Sequence, residues 1–130
     1  MDNRLKSRLF CISALLVLLA VGCLPFGVAP ASMAGFWADP DNNVTTIEDQ
    51  SGTYVAVTVF DLNQANGQNL LVSTSYWNRM LTWRYCPAPK PCLTLQATAY
   101  RGGDTMNVSW QDEKGGSGQM TLKRVDKGTY

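Results

Sequence analysis

Histidine is absent from this 130-residue chain. Its absence removes the side chain most used as a general base near neutral pH, along with imidazole metal ligands and histidine-dependent nucleophile triads. Charge is also sparse. Only 16% of the residues are charged, and eleven basic residues against ten acidic ones give a formal net charge of +1. A nucleic-acid binder depends on a basic excess that this chain lacks. After Gly35 no stretch carries helical periodicity over a useful length. What the chain does have is 45% hydrophobic and 10% aromatic residues, which excludes a disordered polymer and suits one domain of modest size.

The first third reads as a targeting or anchoring segment, expected to be helical. Arg4, Lys6 and Arg8 precede a stretch without any charge from Leu9 to Ala38, apolar up to Ala29. A basic start, an apolar run and then small residues form a secretory pattern. Three outcomes compete. Cleavage after Ala34 uses the small residues Ser32 and Ala34. Lipid attachment at Cys23 uses Ala20-Val21-Gly22-Cys23, which resembles a bacterial lipobox. Retention uses residues 9–29 as a span, since about 20 apolar residues cross a bilayer. Each outcome puts residues 35–130 outside the cytoplasm, periplasmic or secreted, with 1–34 as signal or anchor. That exported part carries eight basic and nine acidic residues, so no field of one sign steers a partner.

Cys86 and Cys92 fall in the exported part, separated by five residues of which three are prolines. An oxidising compartment favours a disulfide that closes a hairpin tip. The spacing is not that of a C-x-x-C redox pair, and no further Cys or His in the exported part completes a zinc site.

Short alternating segments separated by turn signals predict strands at Val44–Gln50, Thr53–Asp61, Leu70–Trp77, Met80–Cys86, Cys92–Tyr100, Thr105–Gln111 and Gln119–Val125. These are seven strands, or eight if Phe36-Trp37 begins its own. Short connections favour antiparallel neighbours, and a meander removes its two edges by curling into a closed or nearly closed barrel. The expected fold is therefore all-β, an up-and-down antiparallel barrel of seven or eight strands. Leu81, Trp83 and Tyr85 share one strand face, as do Leu93, Leu95, Ala97 and Ala99.

Gly35-Phe36-Trp37 stands at the start of this domain, and Arg124 stands on its last strand, on the same face as Met120 and Leu122. A Gly-x-Trp on the first strand with an Arg on the last resembles calycin-type barrels such as lipocalins and avidins. The resemblance implies that Arg124 lies across Trp37 and closes one barrel end, a cation–π contact of about 0.5–2 kcal/mol. Lipocalins are much longer chains, and no ligand-binding residue is carried over from them.

Trp77, Trp83, Tyr85 and Trp110 are candidates for a sugar platform or an apolar lining, against the plainer reading of cross-strand packing. Asp39, Asp41, Asn42 and Asn43 place oxygens close together, but they lack the glycine and terminal glutamate of a calcium loop and read as a polar turn. Glu48 and Asp61 are the carboxylates a glycosidase would need, though any β domain offers such a pair. No Ser-x-x-Lys is present in the exported part. The expected function is a non-enzymatic extracytoplasmic binding module for a small apolar or sugar-like ligand, without cofactor or metal and without nucleic-acid binding. The alternative is a protein-interaction module: an inhibitor, or a membrane-anchored accessory subunit of an envelope complex.

Overall fold

The computed structural model describes residues 31–98 and 100–126. The N-terminal helix expected from the sequence, Cys11, Cys23 and Ala99 lie outside the described residues. The described residues from Ala31 onward belong to one compact unit.

Eight strands make one antiparallel sheet: β1 (Gly35–Ala38), β2 (Asn43–Gln50), β3 (Thr53–Asp61), β4 (Leu71–Trp77), β5 (Met80–Tyr85), β6 (Leu93–Ala97), β7 (Thr105–Asp112) and β8 (Ser117–Val125). Their order across the sheet is β3-β2-β1-β8-β7-β6-β5-β4. Strands consecutive in sequence are therefore neighbours throughout, except at one seam between β3 and β4. The barrel is nearly closed, and Phe36 and Trp37 belong to a strand of their own, which makes eight rather than seven.

The first and last strands join through Phe36 opposite Val125, Trp37 opposite Arg124 and Ala38 opposite Lys123. Between β2 and β3 the register shifts after Thr46, so that Thr46 faces Thr58 while Ile47 faces Ala56. Such a bulge bends the pair and increases its twist, which helps a sheet curl.

At the seam, side chains and one isolated bridge, Phe60 opposite Asn69, stand in for a regular ladder. The Ala56 N–H donates to Thr74 Oγ1 at 3.1 Å. The Val59 N–H donates to Asn69 Oδ1 at 3.3 Å, and the Leu70 N–H donates to Val59 O at 2.7 Å. Tyr54 and Tyr76 meet edge to face across it, ring centroids 5.5 Å apart. These contacts answer part of the edge problem without full pairing.

Alternation decides what fills the barrel. On β5, Leu81, Trp83 and Tyr85 are buried, while Met80, Thr82 and Arg84 are only partly so. They pack with Trp37, Ile47, Ala56, Val59, Leu95, Ala97, Met106, Val108 and Leu122 in one hydrophobic cluster. Met33, which precedes the first strand, also belongs to it. Large side chains thus fill the middle of the barrel to the point of excluding solvent from Trp37, Trp83, Leu81 and Leu95.

Candidate binding site at one barrel end

A meander alternates its turns between two ends. The hairpins 50–53 and 77–80, the loop 98–104 and the entry of the chain at Ala31–Gly35 fall at one end, where Arg124 lies. The turn 38–43, the loop 62–70, the disulfide loop 86–92 and the turn 112–117 fall at the other, where Asp39 lies.

The Arg124 end is closed. The Arg124 guanidinium carbon lies 4.3 Å from the Trp37 ring centroid. Its Nη1 donates to Ala34 O and its Nη2 to the Tyr100 hydroxyl, both at 2.9 Å. Tyr100 meets Trp37 edge to face at 5.4 Å, and the indole Nε1 of Trp37 donates to Met33 O at 2.9 Å. Gly35 has a φ of 138°, and a Cβ there would collide with Arg124 Nη1. Only glycine meets both conditions without strain. This arrangement is compatible with a calycin-like barrel.

The Asp39 end is built around one carboxylate. Asp39 Oδ1 accepts the N–H groups of Asp41 and Asn43, both at 2.9 Å. Its Oδ2 accepts Asn43 Nδ2 at 2.9 Å and the Tyr85 hydroxyl at 2.6 Å. The Asp-x-Asp-Asn-Asn run is thus a side-chain-stabilised turn, with Asn42 at a φ of 68°. Burial pushes the Tyr85 phenol well above its ordinary value, and the neighbouring Asp39 charge and hydrogen bond push it the same way. Tyr85 therefore stays a neutral donor, fixing Asp39 from inside the barrel.

Around this hub lies an open pocket of about 370 Å³, lined by Pro40, Pro91, Leu93, Trp110 and Met120 with Asp39, Asp41, Lys90, Asp112 and Gln119. Gly118 lies against Trp110; a Cβ there would come within 3.0 Å of the indole Nε1. Asp112 Oδ1 accepts the N–H groups of Lys114 and Gly116, which orders the turn beside it. Lys90 is paired with Asp41, and the hydrogen bond to Asp41 raises the Lys90 ammonium above its usual value. This pair also lines a second depression of about 220 Å³, with Asn43, Asp61, Asn63 and Pro87. Cys86 and Cys92 are disulfide-bonded, with Cα atoms 4.0 Å apart, and this bond ties down the loop that carries Lys90 and Pro91.

The four aromatic candidates do not converge. Trp83 and Tyr85 lie inside the barrel, Trp110 lies at the Asp39 end, and Trp77 stands at the opposite end, 81% exposed. Trp83 Nε1 and Asn43 Oδ1 are buried without a hydrogen-bond partner among the described residues. Glu48 sits towards the Arg124 end of β2, whereas Asp61 ends β3 at the Asp39 end, so this pair does not share a cleft. Among the described residues no group of three or more acidic or cysteine side chains is placed to hold a metal ion.

Sequence reasoning missed the role of Asp39, Lys90, Pro91 and Met120 at the pocket. The signal was present in the meander itself: three turns lie between the Asp39 turn and the disulfide loop, and an odd number of intervening turns brings the two to the same end. The chain was compared with protein-family models, curated proteins and solved structures, and it matches none of them.

Proposed function

We propose that this barrel is a non-enzymatic extracytoplasmic binding module whose ligand sits in the Asp39-end pocket rather than inside the barrel. The observation that carries this reading is the pocket's composition. Trp110, Leu93, Met120 and two prolines offer an apolar wall, and carboxylates with Lys90 and Gln119 offer polar contacts at its margin. A sugar-like ligand has this dual character: a C–H face that packs on an indole, and hydroxyls that donate to carboxylate oxygens. The pocket is within the size range of small-ligand sites. The Cys86–Cys92 disulfide agrees with an oxidising compartment outside the cytoplasm. The calycin-type resemblance supports a binding role by fold analogy alone.

The filled interior favours one further reading, a protein-interaction module that uses its outer surface. The two readings separate in one experiment. Backbone amide NMR shifts are followed while glucose, N-acetylglucosamine, galactose and laurate are added one at a time. Saturable shifts confined to the pocket residues, lost in Trp110→Ala, support the small-ligand reading. No shift with any of the four, together with co-purification of one stoichiometric envelope protein, would favour the interaction module.

A further inference from the structure

We infer that the barrel presents its Arg124 end to a lipid bilayer, with Trp77 seated in the membrane interface. Three observations support membrane contact at this end.

The chain enters the barrel there. Ala31 lies beside Gly102 in the loop 98–104, within 3.5 Å of where a Gly102 Cβ would stand. The segment just upstream of Ala31 contains the uncharged, apolar residues 9–29 and Cys23. Whichever of these holds the chain to a membrane, the tether emerges from the Arg124 end.

Residues 31–34 also belong to the folded unit. Met33 is buried in the hydrophobic cluster, and its carbonyl accepts the Trp37 indole N–H. The Ala34 carbonyl accepts Arg124 Nη1. Cleavage after Ala34 would remove a core side chain and both acceptors, leaving two buried or half-buried donors without partners. The fold therefore favours a mature chain that keeps residues upstream of Ala34.

Trp77 is on the same end. It precedes the Asn78-Arg79 turn, whose two residues have φ of 50° and 61°, the geometry of a tight hairpin connection. A rigid turn that projects an exposed indole suits the bilayer interface, where tryptophan is enriched because its ring is apolar and its N–H is polar. Charge does not drive the contact: exposed Arg79 and Arg101 at this end are offset by Glu48, Asp49 and Asp104. One indole binds a membrane weakly alone. Tethering makes its insertion intramolecular, and the effective concentration then compensates. The Asp39-end pocket would consequently face away from the membrane.

The test uses the full chain reconstituted into phosphatidylcholine vesicles, some containing lipid brominated high in its acyl chains. Tryptophan emission is the readout. Residues 9–29 contain no tryptophan, and Trp37 and Trp83 are buried, so only Trp77 and Trp110 can report. Bromolipid quenching is expected, reduced several-fold in Trp77→Phe and retained in Trp110→Phe. Quenching unchanged in Trp77→Phe, or abolished in Trp110→Phe, overturns the orientation. The intact mass of the mature protein from its native host gives a second arm. A membrane-bound chain that retains residues upstream of Ala31 supports the proposal, and a free chain beginning at Gly35 overturns it.

Discussion

The two ends of the barrel solve opposite problems with similar materials. At the Arg124 end, one cation and one indole are stacked, and Nη1, Nη2 and the indole N–H each donate to a backbone or hydroxyl acceptor. The end is plugged. At the Asp39 end, one carboxylate gathers four donors from its own turn and from Tyr85, and the apolar side chains beside it stay partly uncovered. The difference lies in what the central charge does. Arg124 turns its hydrogen bonds to the entering chain at Ala34 and to the Tyr100 hydroxyl. Asp39 holds a surface turn in shape, and that turn forms one wall of a pocket. Order without full burial is what a small-ligand site needs.

The largest expected effect is at the plugged end. Trp37→Ala removes a fully buried indole and the surface on which Arg124 lies, and should cost about 3–5 kcal/mol in denaturant unfolding. A loss below about 1 kcal/mol would mean that the two ends differ less than the contacts indicate. Next comes the covalent tie at the open end. Replacing Cys86 and Cys92 together by serine should cost about 2 kcal/mol, the chain-entropy value for so short a loop. Amide exchange should rise at 86–92 and along the pocket while the Arg124 end stays protected; uniform loss of protection would show that the ends are not independent.

A smaller effect carries a pH signature. Tyr85 keeps its proton in the folded barrel to a higher pH than in the unfolded chain. Its stabilising contribution is complete below the ordinary tyrosine range, and stability then falls as the unfolded phenol ionises. The expected slope is about 1.4 kcal/mol per pH unit above roughly pH 10. Tyr85→Phe should flatten that slope while costing about 1 kcal/mol at neutral pH, from the lost hydrogen bond to Asp39. An unchanged alkaline slope in this variant would assign the effect to another group. Smallest is Lys90→Ala. Its ion pair with Asp41 is exposed, so unfolding should shift by less than about 0.5 kcal/mol. If the pocket binds a hydroxyl-rich ligand, the same variant should change affinity more than stability, which titration calorimetry on the ligand found by NMR would read.

Much of this architecture is legible in the sequence alone. Thr53–Asp61 was bounded at both ends by turn residues and an abrupt change in β-branching, and the strand occupies that range. Trp83 and Tyr85 declared a common face by period-two spacing, and both are buried. Cys92–Tyr100 was expected to be a longer strand than the observed Leu93–Ala97, because apolar alternation continues past the point where pairing with β5 and β7 stops. Met33 was unreadable as core, since a methionine among small residues after an apolar run looks like a processing site. The pocket was unreadable for a different reason. Its lining comes from two separate turns and three strand ends, and its existence depends on how far Trp110 and Met120 fall short of filling the barrel mouth.

The pairing of β1 with β8 has a further consequence for how the polypeptide could be rewired. Because the first and last strands lie side by side, the seam falls in mid-chain, at the loop 62–70. A circular permutant opened in that loop, with the old ends joined by a short linker after residue 126, would run through the sheet in simple spatial order. Every ladder would then link strands adjacent in sequence, including the one that now joins Trp37 to Arg124 across most of the domain. Lower contact order predicts faster folding at unchanged architecture, a difference that stopped-flow refolding of the two connectivities would measure directly.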